Sequence, residues 1–410
     1  MRSRIRPSLH SAGLCLAVLV VLLSACQAPT PVAPTATLAP TEQPTPAPSP
    51  TPEPRTLVIC QGQEPQSLFL YSGLSKAAWS ILEAIYDGPI DQRDYAEQPV
   101  ILQKIPSLAD GDVVLQPVDV VAGDQVVDAS GNVNTLGEGV RVYPSGCSNA
   151  SCAVTYDGQS PLQMDQEKVT YNLLPGLKWS DGEPLSAADS VFSYRLASSA
   201  DLPVSKAVVE RTVSYQAVDD ITVEWLGTPG YRNARFAVTF WTPLPQHLLD
   251  STAPADLLQA EAAARRPVGW GPYQIDEWVQ GDHITLSKNP NYFRAAEGLP
   301  AFDHVVFRFL SGSGSDQLAA LQSGECDILD TGSALEDQGA ALDQLASSGN
   351  FTAYYTAGAE WEHLDFGIKP ASYDDGLNML GGDRPDLFGD VRTRQAFALC
   401  ADRQAVVEQA

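Results

Sequence analysis

The sequence predicts an α/β fold, and three stretches predict it. Residues 168–197 read as a strand, a break and a capped helix. Residues 104–165, rich in Gly and Asp, read as short strands joined by turns. Residues 351–367 alternate aromatic and small residues in the manner of a further strand.

The first stretch is the most explicit. Val169, Tyr171 and Leu173 alternate as a half-buried strand does, and Pro175-Gly176 interrupts them. Ser186 and Asp189 then stand three apart ahead of Val191, Phe192 and Leu196, the spacing of a capping box. Asp181-Gly182 between them is a turn signal.

The N-terminus has a different character. Arg2, Arg4 and Arg6 precede an apolar run from Leu14 to Leu23, too short to cross a bilayer as an ordinary helix, so residues 1–25 read as a signal peptide. Leu23-Ser24-Ala25-Cys26 follows directly and matches a bacterial lipobox, which makes Cys26 the expected site of lipidation. Residues 26–55 are mostly Pro, Thr, Ala and Ser, a composition that buries no core and extends as a tether. Acyl chains on Cys26 would hold the protein at the membrane, and no second apolar stretch is long enough to span one. The expected location is the cell surface or periplasm, with the lipid as the only membrane attachment.

Charge excludes one class of partner. Three of the 25 basic residues and none of the 50 acidic ones leave with the signal, so the net charge moves from −25 to about −28. Such a surface repels phosphate backbones, and nucleic acid is not an expected partner.

Five cysteines remain beyond Cys26. Cys147 and Cys152 sit in SGCSNASC, where a local disulfide fits. Cys60, Cys326 and Cys400 are expected to be buried apolar residues rather than ligands or nucleophiles. CxxC is absent, and His10, His247, His283, His304 and His363 show no HExxH spacing, so neither a metal nor a cofactor is expected.

Six segments, in order, resemble the extracellular solute-binding proteins of peptide, oligopeptide and nickel ABC transporters (family 5). The clearest is Trp179-Ser180-Asp181-Gly182-Glu183-Pro184 followed by Ala188-Asp189-Ser190-Val191-Phe192. Before it stands TLVICQ with Glu64-Pro65-Gln66-Ser67-Leu68. After it come Trp241-Thr242-Pro243-Leu244-Pro245-Gln246-His247-Leu248-Leu249, then PVGWGPYQIDEWVQGDHITLSKNPNYF. Leu321-Gln322-Ser323-Gly324-Glu325-Cys326-Asp327-Ile328 and Val391-Arg392-Thr393-Arg394-Gln395-Ala396-Phe397 complete the series.

The resemblance implies a periplasmic-binding-protein-like, two-lobe clamshell with mixed sheets. Residues 56–355 would form the first lobe, and residues 356–410 the hinge crossing and an incomplete, truncated second lobe. On this reading the chain is the N-terminal part of a longer protein and would be unstable or aggregate by itself, through an exposed sheet edge. Three departures from the pattern stand out. Trp270 occupies the place of a small Thr, and packing is preferred to cleft contact. The 104–165 segment is longer than its counterpart, and Leu399-Cys400-Ala401 loosens the last motif.

The implied function is a lipid-anchored substrate-binding component of an ABC importer. It would capture a peptide or similar small solute between the lobes and deliver it to permease subunits, as a monomer when full length. The implied ligand-binding residues are Glu64, Gln66 and Ser67 on the loop bordering the cleft, with Tyr71, and Glu360 and Trp361 on the crossing strand. The alternative is an extracellular sensor or receptor for a non-peptide ligand on the same fold. A hydrolase built on Asp181, Glu183 and Asp189 is disfavoured, because turn and capping roles account for those carboxylates, and the chain is not expected to be an enzyme.

Overall fold

A computed structural model describes residues 53–93, 96–233, 235–330, 333, 335, 338–355, 365–366 and 388–405. The signal peptide, Cys26 and most of the tether lie outside the described residues, as do Glu360 and Trp361.

Strand β1 (Thr56–Gln61) leads through a loop to helix α1 (Lys76–Ile85), and a small hairpin, β2 (Ile90–Arg93) and β3 (Ala96–Pro99), follows. Helix α1 starts where Ser75 Oγ accepts the Ala78 N–H. It buries Ala77, Ala78, Ile81, Leu82 and Ile85, a stripe at helical spacing.

Residues 104–165 contain β4 (Val113–Val120) and two small hairpins, β5 (Gln125–Val127) with β6 (Val133–Thr135) and β7 (Arg141–Val142) with β8 (Val154–Thr155). These close over a small core of their own, formed by Val120, Val126, Leu136, Val142, Tyr156 and Met164. Cys147 and Cys152 are joined by a disulfide at its tip.

Strand β9 (Leu162–Asn172) is the longest in the second sheet and pairs antiparallel with β4 along its length. Val169 and Tyr171, with Leu173 just beyond the strand, point into the core, while Lys168, Thr170 and Asn172 are half-buried. Helix α2 (Ala187–Ser198) follows with its capping box formed: Asp189 Oδ2 accepts the Ser186 N–H at 2.8 Å. Strands β10 (Thr212–Ala217) and β11 (Thr222–Gly227) complete an antiparallel sheet of order β10-β11-β9-β4. Two short helices, α3 (Gln246–Leu249) and α4 (Pro254–Leu257), precede a π-helical turn over Glu261–Arg265.

The other large sheet is mixed. Hairpin β12 (Tyr273–Val279) and β13 (His283–Lys288) joins β14 (His304–Phe309), which runs parallel to β1. Helix α5 (Gly314–Ser323) then returns the chain to β15 (Ile328–Leu329), parallel to the other side of β1, giving the order β12-β13-β14-β1-β15. Helices α6 (Gly339–Ser347) and α7 (Val391–Cys400) are the last described elements.

One buried cluster joins the two sheets, drawing Ile81 and Ile85 from α1, Val169, Tyr171 and Trp225 from one sheet, and Ile284 and Phe307 from the other. Trp270 lies at its centre, fully buried, with ring centroids 4.9 Å from Tyr86 and 5.5 Å from Trp179. Its indole N–H donates to the Asp87 carbonyl at 2.8 Å. Gly269 and Gly271 flank it because the Ile85 carbonyl oxygen leaves no space; a Cβ at either would lie within 2.5 Å of that oxygen.

Two expectations about the cysteines are corrected. Cys60 and Cys326 are not free buried thiols: they form a disulfide between β1 and the turn leading into β15, with Cα atoms 5.8 Å apart. The parallel pairing of β1 with β15 brings these two positions together, a placement no local spacing reveals. Cys400 is free and exposed rather than buried. Of the strand expected over 351–367, residues 351–355 form none and leave Tyr354 and Tyr355 exposed, while residues 356–364 and 367 lie outside the described residues.

Candidate functional site

The loop between β1 and α1 sits at the carboxyl end of the parallel strands, the position where open α/β sheets leave room for a ligand. It borders a cavity of about 520 Å³. Gln63, Glu64, Gln66 and Ser67 line one wall, residues 72–75 ahead of α1 line the next, and Pro203, Leu258 and Gln259 close the far side. Three of the residues expected from sequence, Glu64, Gln66 and Ser67, therefore share one cavity.

Glu64 is fixed by three groups from distant segments. Trp278 Nε1 donates to its Oε1 at 2.7 Å, and the Gly281 N–H donates to Oε2 at 3.0 Å. Arg265 stands 3.7 Å from Oε1 and lies over the Trp278 ring, 4.1 Å from its centroid. A charged acceptor with two donors and a nearby guanidinium is among the stronger polar arrangements a loop can carry. It ties the loop to the end of the β12–β13 hairpin.

The rest of the loop is braced from within. Ser67 Oγ accepts the Phe69 N–H, Leu68 donates its N–H to the Ala264 carbonyl, and Leu68 and Phe69 are buried anchors. Gln66 alone among the three is exposed, and it lines the cavity. Tyr71 is placed otherwise: its ring packs edge-on to Phe69, and burial pushes its phenol pKa up, an effect that Ser193 on α2 opposes. It does not line the cavity. Glu360 and Trp361 lie outside the described residues.

Sequence reasoning overlooked Pro203, Leu258 and Gln259, which arrive from turns about 140 and 190 residues downstream. It also overlooked Arg265 and Trp278, the partners of Glu64. PVGWGPYQIDEWVQGD carried Trp278 in plain view, but only the tertiary fold shows where its indole points.

The WSDG segment is occupied structurally. Asp181 Oδ2 is 2.8 Å from His247 Nε2, and its Oδ1 accepts the Glu183 N–H. Asp189 accepts from Ser186 and, through Oδ1, from the Gln246 N–H at 3.1 Å, which ties α2 to α3. Burial pushes the Asp189 carboxyl pKa upward, and these backbone donors oppose the shift. Among the described residues no group of three or more His, Cys, Asp or Glu side chains could hold a metal ion, and no helix is long and apolar enough to cross a membrane.

Comparison with known proteins follows this geometry. The oligopeptide-binding protein AppA of Bacillus subtilis is 28% identical over 243 residues, covering 57% of this chain and 39% of AppA. The glutathione-binding protein GsiB of Pectobacterium atrosepticum is 29% identical over 179 residues, covering 41% of this chain and 31% of GsiB. The solved structure of B. subtilis AppA in complex with a nonapeptide aligns with a TM-score of 0.46 at 22% identity, over 67% of this chain and 44% of AppA. The chain thus spans about two fifths of the length of the curated relatives it matches. Residues 162–410 match the model of the bacterial extracellular solute-binding proteins, family 5, and the chain belongs to that family.

Proposed function

We propose that this protein is the lipid-anchored binding component of an ABC importer, and that it captures peptides in a cleft between two lobes. The cavity at the carboxyl end of β1 carries this reading, because a loop locked through Glu64 brings Gln66 and a helix start to one concave space. A peptide offers its backbone to such a wall, and roomy pockets accept its side chains. The relatives AppA and GsiB are named for binding oligopeptides and glutathione. Glu64, Gln66 and Ser67 are the proposed ligand-bordering residues of the first lobe, residues 56–355. Glu360 and Trp361 are proposed for the crossing to the second, and Tyr71 acts through packing.

The family is one of binding proteins, and hydrogen bonds within the fold account for the carboxylates of the WSDG segment, so binding rather than turnover is the proposed activity. Cys26 would carry the acyl chains and residues 26–55 the tether. Delivery to permease subunits, a surface or periplasmic location and a monomeric full-length state belong to the same proposal.

Two measurements test it. The purified chain is extracted with acid and the extract analysed by mass spectrometry; recovered short peptides, lost in a Gln66→Trp variant that fills the cavity, support the reading. Peptides recovered equally from both proteins, or from neither, overturn the assignment of this cavity. Acyl labelling of cells should mark the wild type and spare Cys26→Ala.

A further inference from the structure

A second concavity runs along the outward side of α1 and shares no residue with the cavity beside Glu64. It has a volume of about 440 Å³, with Leu82 and Phe240 in its apolar floor. Trp79 and Val238 both line it as large apolar side chains left 50% and 41% exposed. It continues past Glu83, Tyr86 and Asp91 into a wider cleft of about 990 Å³ beside the β2–β3 hairpin.

The rim is acidic and partly uncompensated. Arg235 and Arg294 at its edges are taken by Glu97 and Glu297, and Asp87 Oδ2 accepts the Tyr292 hydroxyl. Glu83 and Asp91 have no hydrogen-bonded or ionic side-chain partner among the described residues, and Arg93 lies on the wall of the wider cleft. Partial burial, then mutual repulsion with Asp91, raises the Glu83 pKa; burial, then Asp87, raises that of Asp91. The charges of Glu83 and Asp91 are thus disfavoured within the groove, which a bound cation would reverse.

We propose that this groove is a docking surface for a basic amphipathic segment of a partner protein, which lays an apolar side chain on Trp79 and Val238 and sets Lys or Arg against Glu83 and Asp91. An exposed indole next to unpaired carboxylates suits a cationic side chain twice over, through its ring face and through charge. The apolar floor and the two joined volumes exceed what a single amine fills, so a peptide segment rather than a small cation is the occupant. This inference goes beyond the transport reading and does not depend on it.

The test is fluorescence anisotropy of a labelled Lys/Leu amphipathic peptide titrated with the full chain. Saturable binding is expected, weakened by salt, with a Glu/Leu counterpart failing to bind. Trp79→Ala and the double variant Glu83→Gln/Asp91→Asn should each weaken binding by about tenfold or more. A control variant, Asp119→Asn/Glu138→Gln, which removes two exposed carboxylates outside the groove, should leave it within about twofold. Equal weakening in the control would show general charge attraction and overturn the proposal. Unchanged affinity in both groove variants would place the peptide elsewhere, the cavity beside Glu64 included, and would also overturn it. Competition by arginine amide at the peptide's own concentration would replace the proposed segment by a small cation.

Discussion

Trp278 Nε1 donates to Glu64 Oε1 at 2.7 Å across 214 residues of chain, so the loop that borders the candidate cleft is held by the hairpin behind it. Trp278→Phe keeps the ring under Arg265 and removes only this donor. Hydrogen bonds to charged groups contribute about 1.5–3 kcal/mol, and the variant should lose about that much in urea unfolding. Ligand affinity should fall with it, because the wall carrying Gln66 is no longer fixed.

Trp270 stands where the family pattern has a small residue, yet it is fully buried against Tyr86 and Trp179. Trp270→Thr should therefore destabilise by about 3–5 kcal/mol, as truncation of a buried Trp does. If it instead left stability unchanged and altered ligand selectivity, the indole would belong to the cleft.

Glu167 on β9 is buried with one carboxylate oxygen unpartnered, the other accepting the Asn233 N–H at 3.2 Å. Burial pushes its pKa from 4.5 up to about 7. A raised carboxyl pKa means the fold disfavours the ionised form, so its full stability is present below pH 4.5 and part is lost as pH rises through 7. Glu167→Gln should remove that loss and stabilise the protein by about 1–3 kcal/mol at pH 8, with little change at pH 4.5. Thermal melts of both proteins across this range measure it; a variant less stable at pH 8 would contradict the assignment.

Cys60 and Cys326 fasten β1 to the segment entering β15. Cys60→Ser/Cys326→Ser should lower stability by about 2–5 kcal/mol, the range seen when long-range disulfides are removed. The Cys147–Cys152 bond joins residues only five positions apart, so Cys147→Ser/Cys152→Ser should have a smaller, local effect on the 104–165 segment.

What the sequence revealed about the fold was local. Val169-Tyr171-Leu173, Pro175-Gly176 and the Ser186/Asp189 pair each act within a few residues, and each took the expected form. That Glu64, Gln66 and Ser67 would line one space was legible for the same reason, since they lie within four consecutive residues. What escaped depends on register. The Cys60–Cys326 bond follows from β15 pairing with β1, and the groove along α1 from the 235–242 segment passing over that helix. Tyr71 shows the limit most plainly: its residue type does not say whether it borders the cavity, and the fold packs its half-buried ring against Phe69 instead.

The bond between Cys60 and Cys326 makes residues 60–326 a covalent ring threaded with two sheets. A member of an extracellular solute-binding family meets proteases, and the exposed turn at 121–123 is an evident place to be cut. One cut there converts the ring to a line but releases nothing, because the two new ends remain joined through the sulfur bridge. Shedding a piece requires a second cut or a reductant, so a singly nicked molecule migrates as one species on a non-reducing gel and as two after thiol is added.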